Sequence, residues 1–264
     1  MSGTGADLFA EIVRLHNVGT PCALATVVRT AGSTPRKAAA RMLVMRDGRV
    51  VGTIGGGRVE KEVTDAAVAL LTEGAGARAK LLRYHLTHEL AMCCGGEMEV
   101  FVEPLVPAPP LVVCGGGHVA HALVPLAHRV GFSPIVVEEA EEMASAERFP
   151  DAARIIDSFD PRDWKELTID AGTYVVIVTR DHAQDQALLE YFIDKELAYL
   201  GLIGSVRKIE MFKQRLAARG IDAALFARIK APIGLDIGAE TPDEIAVAIV
   251  AELIQARAAR RTAK

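Results

Sequence analysis

No stretch of this chain approaches about 18 consecutive uncharged apolar residues, so no membrane-spanning helix is expected. A surplus of one charge is missing too: 30 basic against 34 acidic side chains leave a formal net charge of −4. So near a balance gives no general attraction to nucleic acid or to an anionic lipid surface. The four cysteines stand at 22, 93, 94 and 114. They form neither a C-x-x-C pair nor the spacing of a disulfide framework. The opening residues, Met1 to Asp7, show neither the basic stretch nor the apolar segment of a secretory leader. A cytoplasmic, reduced protein is the expectation. What remains is a globular composition, 50% apolar and 24% charged over 264 residues. That length suits one large or two ordinary domains, each with a core of its own.

The most informative stretch is Leu111-Val112-Val113-Cys114-Gly115-Gly116-Gly117-His118-Val119-Ala120. A short apolar run meets three glycines, and a helical pattern starts directly behind them. A nucleotide phosphate can rest on a helix N-terminus in this geometry. Gly115 tolerates the positive φ of a tight turn. Gly117 lets backbone N–H groups approach an anion, and Ala120 fills the small third position of a relaxed G-x-G-x-x-A fingerprint. Ser133-Pro134-Ile135-Val136-Val137-Glu138 reads as the next strand, ending in an acid about 20 residues beyond the glycines. The glycines bind a ligand or merely turn the chain. Glu138 either accepts from ribose hydroxyls or, with Glu139, Glu141 and Glu142 behind it, opens a solvated acidic helix.

Ahead of this stretch, residues 7–18 carry a helical apolar stripe, and residues 21–28 form a strand apolar on both faces, with Cys22 as a core thiol. Residues 29–37 make a loop of glycine, hydroxyls and three cations, which either holds an anion or is an exposed turn. Asp47-Gly48 joins residues 41–46 and 49–54 as a hairpin with an expected type I′ turn. The second of these strands runs into Gly55-Gly56-Gly57-Arg58, a second strand–glycine–helix junction and a second potential anion seat, with a helix over 59–71.

Residues 80–86 and 97–103 read as strands. Between them His85, His88, Glu89, Cys93 and Cys94 invite a metal. Adjacent cysteines cannot easily chelate one tetrahedral ion, and no second knuckle exists, so no metal site is expected. A glycine-flanked loop can instead expose a thiol and stabilise its thiolate; two partly buried, inert cysteines are the other reading.

Four prolines within residues 104–110 mark a connector between a domain at 1–103 and another at 111–264. Beyond it strands at 111–114, 134–138, 154–156, 173–179 and 198–203 alternate with helices at 119–129, 141–148, 183–195 and 206–218. That is the pattern of an α/β domain with a doubly wound parallel sheet and ligands at the carboxyl ends of its strands. Thr179-Arg180-Asp181-His182 and Gly204-Ser205-Val206-Arg207-Lys208 are polar clusters at two such ends. Thr241-Pro242-Asp243-Glu244 caps the last helix. The glycine-rich approach to it, residues 231–239, can close over a sheet edge.

Taken in order, Ala31-Gly32-Ser33-Thr34-Pro35-Arg36, Gly55-Gly56-Gly57-Arg58-Val59-Glu60, Met92-Cys93-Cys94-Gly95-Gly96, Cys114 to Ala120, Gly201-Leu202-Ile203-Gly204-Ser205 and the 231–242 segment resemble the XdhC/CoxI family. Its members are accessory factors of xanthine dehydrogenase and related molybdenum hydroxylases. The resemblance covers residues 9–255. It implies an N-terminal α+β domain followed by a Rossmann-like domain, and a chaperone rather than an enzyme. Such a factor binds the molybdenum cofactor as cargo, keeps it while its terminal sulfur is installed, and inserts it into the apo-hydroxylase. The implied partners are that hydroxylase, a cysteine desulfurase and a second copy of the chain.

Under this resemblance Gly115, Gly116, Gly117 and His118 seat the phosphate end, with Glu138 close by. Cys93 and Cys94 face the metal or its labile sulfur, and Arg36, Arg58 and Lys208, with Gly204 and Ser205, neutralise charge. Relatives often carry a cysteine where Gly57 stands, and an aspartate where Glu138 stands. The competing reading is an NAD(P)-dependent oxidoreductase using the same fingerprint, with His182 and Asp181 or Asp185 as its acid–base pair.

Overall fold

The computed structural model describes residues 5–262 apart from 18, 33, 35, 74–76, 86–95 and 166. Two compact units emerge, one containing residues 1–107 and the other residues 108–259.

The first unit is an antiparallel sheet of order β3-β2-β1-β5-β4 with a helix on either face. Its elements are α1 (Gly5–Asn17), β1 (Cys22–Ala31), β2 (Arg41–Met45), β3 (Val50–Gly52), α2 (Gly57–Glu73), β4 (Lys80–His85) and β5 (Glu97–Leu105). Strand alternation sorts the side chains. Ala23, Ala25 and Val27 of β1 pack with Val59, Val63, Ala67 and Leu70 of α2, while Cys22 joins Leu8 and Leu15 of α1. Burial pushes the Cys22 thiol up, with the Glu11 charge adding to it, so this is the inert core thiol that was expected.

The β2–β3 hairpin departs from the expected type I′ turn. Gly48 N donates to the Met45 carbonyl at 3.0 Å and Met45 N to the Arg49 carbonyl at 2.9 Å. Gly48 has φ +81°, whereas Asp47 does not have a positive φ. This is a three-residue loop, a turn followed by one left-handed glycine. Asp47 is held out of the left-handed region because its carboxylate accepts from the Arg49 N–H at 3.0 Å.

The expected proline connector is shorter than its sequence. β5 continues through Pro104, which lies opposite Ala23, and Pro110 opens the next strand. Pairing with β4 stops at Val102, so Pro104 lacks an N–H where the strand has no neighbour on that side.

The second unit holds a parallel sheet of order β10-β9-β6-β7-β8. The strands are β6 (Pro110–Cys114), β7 (Ser133–Val137), β8 (Arg154–Ile156), β9 (Tyr174–Ile177) and β10 (Tyr199–Leu202). The helices are α3 (His118–Arg129), α4 (His182–Phe192), α5 (Val206–Ala218), α6 (Ala223–Phe226) and α7 (Pro242–Thr262). Leu111 and Val113 face α3 and α7, through Leu123, Val124, Ile249 and Leu253. Val112 and Cys114 face α4 and α5, through Leu188, Phe192, Ile209 and Phe212. The sheet is therefore doubly wound. Its order reverses between β6 and β9, which is where such folds place a ligand.

The expected helix at 141–148 is replaced by a single 3-10 turn, Glu141–Met143. Ser145 Oγ accepts from Arg148 N at 3.2 Å, a local bond that competes with helix continuation. Pro150 then disfavours helical backbone at Phe149.

Residues 230–233 do close over the sheet edge. Lys230 N and Ile233 N donate to the carbonyls of Leu200 and Leu202, at 2.8 and 3.1 Å. Beneath them the buried Tyr199 hydroxyl donates to Glu252 Oε2 at 2.5 Å, and Gly234 N donates to the same oxygen at 2.8 Å. Burial, reinforced by Glu252, pushes the Tyr199 hydroxyl up. Tyr199→Phe removes one donor from a buried carboxylate and should cost about 1–3 kcal/mol in denaturant unfolding. A change below about 0.5 kcal/mol would show that this bond does not hold the segment down. Among the described residues, no helix is long and apolar enough to cross a membrane.

Candidate functional site

The site assembles where β6 ends. Gly115, at φ +117°, turns so tightly that an added Cβ would lie 2.6 Å from the Val178 carbonyl oxygen. Its N–H donates to Val137 O at 2.8 Å and ties the turn to β7. Gly117 then opens α3 in extended conformation (φ −69°, ψ −170°), and no side chain caps the helix start. An added Cβ here would meet nothing nearer than Arg180 Cγ at 3.9 Å. The space before the α3 N-terminus is open, and the helix dipole favours negative charge there. His118 is exposed in the first turn.

Between these two, Gly116 is closed in. Glu138, only 5% exposed, accepts from Gly116 N at 2.8 Å through Oε2 and from Ala140 N at 3.1 Å through Oε1. Arg148 Nε donates to the Gly116 carbonyl at 3.2 Å, and a Cβ on Gly116 would lie 2.5 Å from Met143 O. The segment expected to be helical is instead the lid of the glycine turn. Glu138 is built into that turn, not solvated.

A cleft of about 290 Å³ lies beside it. Glu138 and Glu139 line it from the end of β7, Phe159 from beyond β8, Thr179, Arg180 and Asp181 from the end of β9, and Gln184 from α4. The far wall is fixed by Asp185, which is fully buried. Its Oδ1 accepts from Thr179 Oγ1 at 2.6 Å and from Thr179 N at 3.2 Å. Its Oδ2 accepts from Lys208 Nζ at 2.5 Å, and Lys208 also donates to Ile203 O at 3.0 Å.

Lys208 thus points into the protein. Gly204 makes room for its stem, since a Cβ there would lie 2.7 Å from Lys208 Cδ, and Ser205 Oγ caps α5 by accepting from Lys208 N at 3.3 Å. Asp181 caps α4, accepting from Ala183 N at 2.7 Å. Both acids considered as partners of His182 are therefore engaged elsewhere. Cys114, fully buried, has its thiol pushed up by burial and then by the Asp185 charge.

In the first unit the glycine junction already holds an anion of its own. Glu60 Oε2 accepts from Thr53 Oγ1 at 2.5 Å, Gly56 N at 3.0 Å and Ile54 N at 3.2 Å. A glutamate in the first helical turn that reaches back to its own helix start is the logic of a capping box, and that was the readable signal. Arg58 pairs with Glu62 on an exposed surface at 3.2 Å, and Arg36 is exposed. Cys93 and Cys94 lie outside the described residues. The structure thus brings together Gly115, Gly116, Gly117, His118 and Glu138, and puts Gly204, Ser205 and Lys208 behind the cleft wall. Sequence reasoning missed Phe159, Gln184 and Arg148, which carry no local pattern and reach the site only through the sheet order.

Known proteins resemble the chain along its length. A profile of the XdhC Rossmann domain matches residues 111–253, and one of the XdhC and CoxI family matches residues 15–85. An Escherichia coli K12 protein, "Uncharacterized protein YqeB", is 36% identical over 95% of this chain, which spans only 46% of that protein's length. A Bacillus subtilis 168 protein, named as a probable subunit of xanthine dehydrogenase, is 25% identical, covering 89% of this chain and 92% of its own. The "Molybdenum cofactor insertion chaperone PaoD" of E. coli K12 is 24% identical, covering 90% and 84%. A solved structure described as a xanthine dehydrogenase from Bacillus halodurans shares the fold, with a TM-score of 0.55 at 24% identity over 97% of both chains. With one family profile over more than half of the sequence and a second ahead of it, this chain belongs to the XdhC/CoxI family.

Proposed function

We propose that this protein is a maturation factor for a molybdenum hydroxylase: it carries the molybdenum cofactor and inserts it into the apo-enzyme, such as an apo xanthine dehydrogenase. The carrying observation is the correspondence of nearly the whole chain to a relative named as a molybdenum cofactor insertion chaperone. The site chemistry agrees with an anionic cargo. The open α3 N-terminus at Gly117 and His118 takes the phosphate end of the pterin, and Gly115 and Gly116 shape the turn. Cys93 and Cys94 supply soft sulfur ligands toward the metal or its labile sulfur. Arg36 and Arg58, both on the surface, add positive charge. A cysteine desulfurase supplies the terminal sulfur, and the chain works as a homodimer.

The test is direct. Purified protein is mixed with free molybdenum cofactor and gel-filtered, and the protein peak is assayed for molybdenum and oxidised pterin. Stoichiometric retention, followed by activation of an apo-hydroxylase, is expected; failure of both ends this reading. In the same assay, replacing Cys93 and Cys94 together with serine should leave the protein folded. It should cut delivery of active, sulfurated cofactor at least about tenfold, the loss of about 1.4 kcal/mol of soft-ligand binding. Unchanged retention and transfer would remove the thiols from the mechanism.

A further inference from the structure

The antiparallel sheet of the first unit is covered on one side by α2, which packs on Met98, Val100 and Val102. On its other side α1 covers the β2–β3 half, through Leu43, Met45 and Val51. The β4–β5 half of that side is open. Leu81 and Val28 are each 47% exposed. Half-buried Phe101 lies between their strands, paired with Leu81 on β4 and with Thr26 on β1. One row along, Arg29 and Arg83 share a single carboxylate, Glu99, at 3.8 and 3.3 Å. Two guanidinium groups on one carboxylate leave positive charge over at this end of the patch.

In the second unit α7 is apolar on two sides. Ala246, Ile249, Val250 and Leu253 enter the core. Val247, Ala251 and Ile254 form a second stripe at i, i+4 and i+7, in which Val247 is 50% and Ile254 39% exposed. A surface helix ordinarily turns polar residues to that side, and one that is apolar all round is covered all round. The stripe begins in negative charge, because Asp243, exposed, stands four residues before Val247, with exposed Glu244 beside it.

We propose that these two faces are each other's cover between two copies of the chain: α7 of one copy lies on the open half-sheet of its partner, and the partner's α7 returns the contact. The inference rests on the homodimer of the proposed function, to which it gives an interface, and not on the cargo. Dimensions agree. A helix about 10 Å wide spans two strands, here β5 and β4. From Asp243 to Ile254 the helix rises about 16 Å, and from Glu99 to Glu103 the strand runs about 14 Å. Charge fixes the direction, with Asp243 and Glu244 toward Arg29 and Arg83, so that Val247 and Ile254 meet Leu81, Phe101 and Val28. A contact between unlike faces closes into a dimer only when it is made twice, which is why the two are reciprocal.

Sedimentation velocity on the full chain without cargo tests this. The unaltered protein is expected to run as a dimer. Leu81→Glu and Ile254→Glu should each raise the dissociation constant at least about a hundredfold, since each puts a carboxylate into both contacts. An equimolar mixture of the two variants should associate again, because a mixed dimer keeps one unaltered sheet facing one unaltered α7. Arg83→Glu and Asp243→Arg should each weaken the dimer about three- to tenfold, and their combination should restore it. This exposed pair decides even if a glutamate variant fails to fold. A monomer at every concentration overturns the inference together with the homodimer. A dimer that survives either glutamate substitution, a mixture that does not associate, or a charge reversal that is not restored overturns this inference alone. Cofactor retention is read in a different assay, so its failure is not confused with either.

Discussion

Asp185→Ala is expected to destabilise the second unit by about 3–5 kcal/mol, the usual cost of removing one partner from a buried ion pair. For a domain of this size that corresponds to roughly 6–20 °C in thermal midpoint. The asymmetry of the pair sets the size. Without Asp185, the Lys208 ammonium, whose side chain is 10% exposed, keeps, among the described residues, the Ile203 carbonyl and the Phe212 ring, 5.5 Å away. Without Lys208, the carboxylate still accepts the N–H and hydroxyl of Thr179. Lys208→Met should therefore cost clearly less than Asp185→Ala. The double replacement should recover part of the loss, since no unpaired charge remains. Thermal unfolding of the three variants measures this. Equal, additive costs would mean that the two side chains are not coupled. Because Asp185 holds Thr179 at the cleft wall, the alanine variant should also loosen the loop that carries Arg180.

The architecture was readable wherever a local pattern dictates it. Strand–glycine–helix junctions, alternation of strands with helices and the Thr241 to Glu244 cap each follow from short-range sterics and hydrogen bonding. The site was readable at its glycines and at Glu138, which sit in one strand–turn–helix–strand unit, and at Thr179, Arg180 and Asp181, a polar cluster at a strand end. What escaped was decided by distance. Phe159 and Gln184 line one cleft because β7 and β9 flank β6, with β8 beyond β7, in an order that no local pattern announces. Lys208 looks from sequence like a free cation at a strand end, and is in fact consumed by an acid 23 residues earlier. Gly55-Gly56-Gly57 looks like an empty anion seat until Glu60 is seen to fold back into it. Residues 141–148 carry helical composition, but Ser145 and the demands of the Gly116 turn leave only one 3-10 turn.

The glycines of the fingerprint are expected to separate sharply on substitution. Gly115→Ala should destabilise the unit by about 2–6 kcal/mol: about 1–3 for a side chain at φ +117°, and a comparable amount for overlap with backbone. The obstacle is the Val178 carbonyl at 2.6 Å; its residue is tied to the end of β6 by its own N–H, which donates to Cys114 O at 2.8 Å, so it cannot step aside cheaply. Gly117→Ala should instead be neutral, or stabilising by up to about 1 kcal/mol, because φ −69°, ψ −170° is open to any residue and the site of the new Cβ is vacant. That tolerance makes position 117 the informative one. Gly117→Val should fold with an unchanged denaturation midpoint, yet place two methyl groups in front of the α3 N-terminus. It should weaken binding of any phosphate-bearing ligand at least about tenfold, or about 1.4 kcal/mol. Denaturant unfolding and ligand titration on the same two variants read both effects. If Gly115→Ala were harmless, the tight β6 turn would not be required. If folded Gly117→Val bound its ligands undiminished, the anion would have to rest elsewhere than on α3.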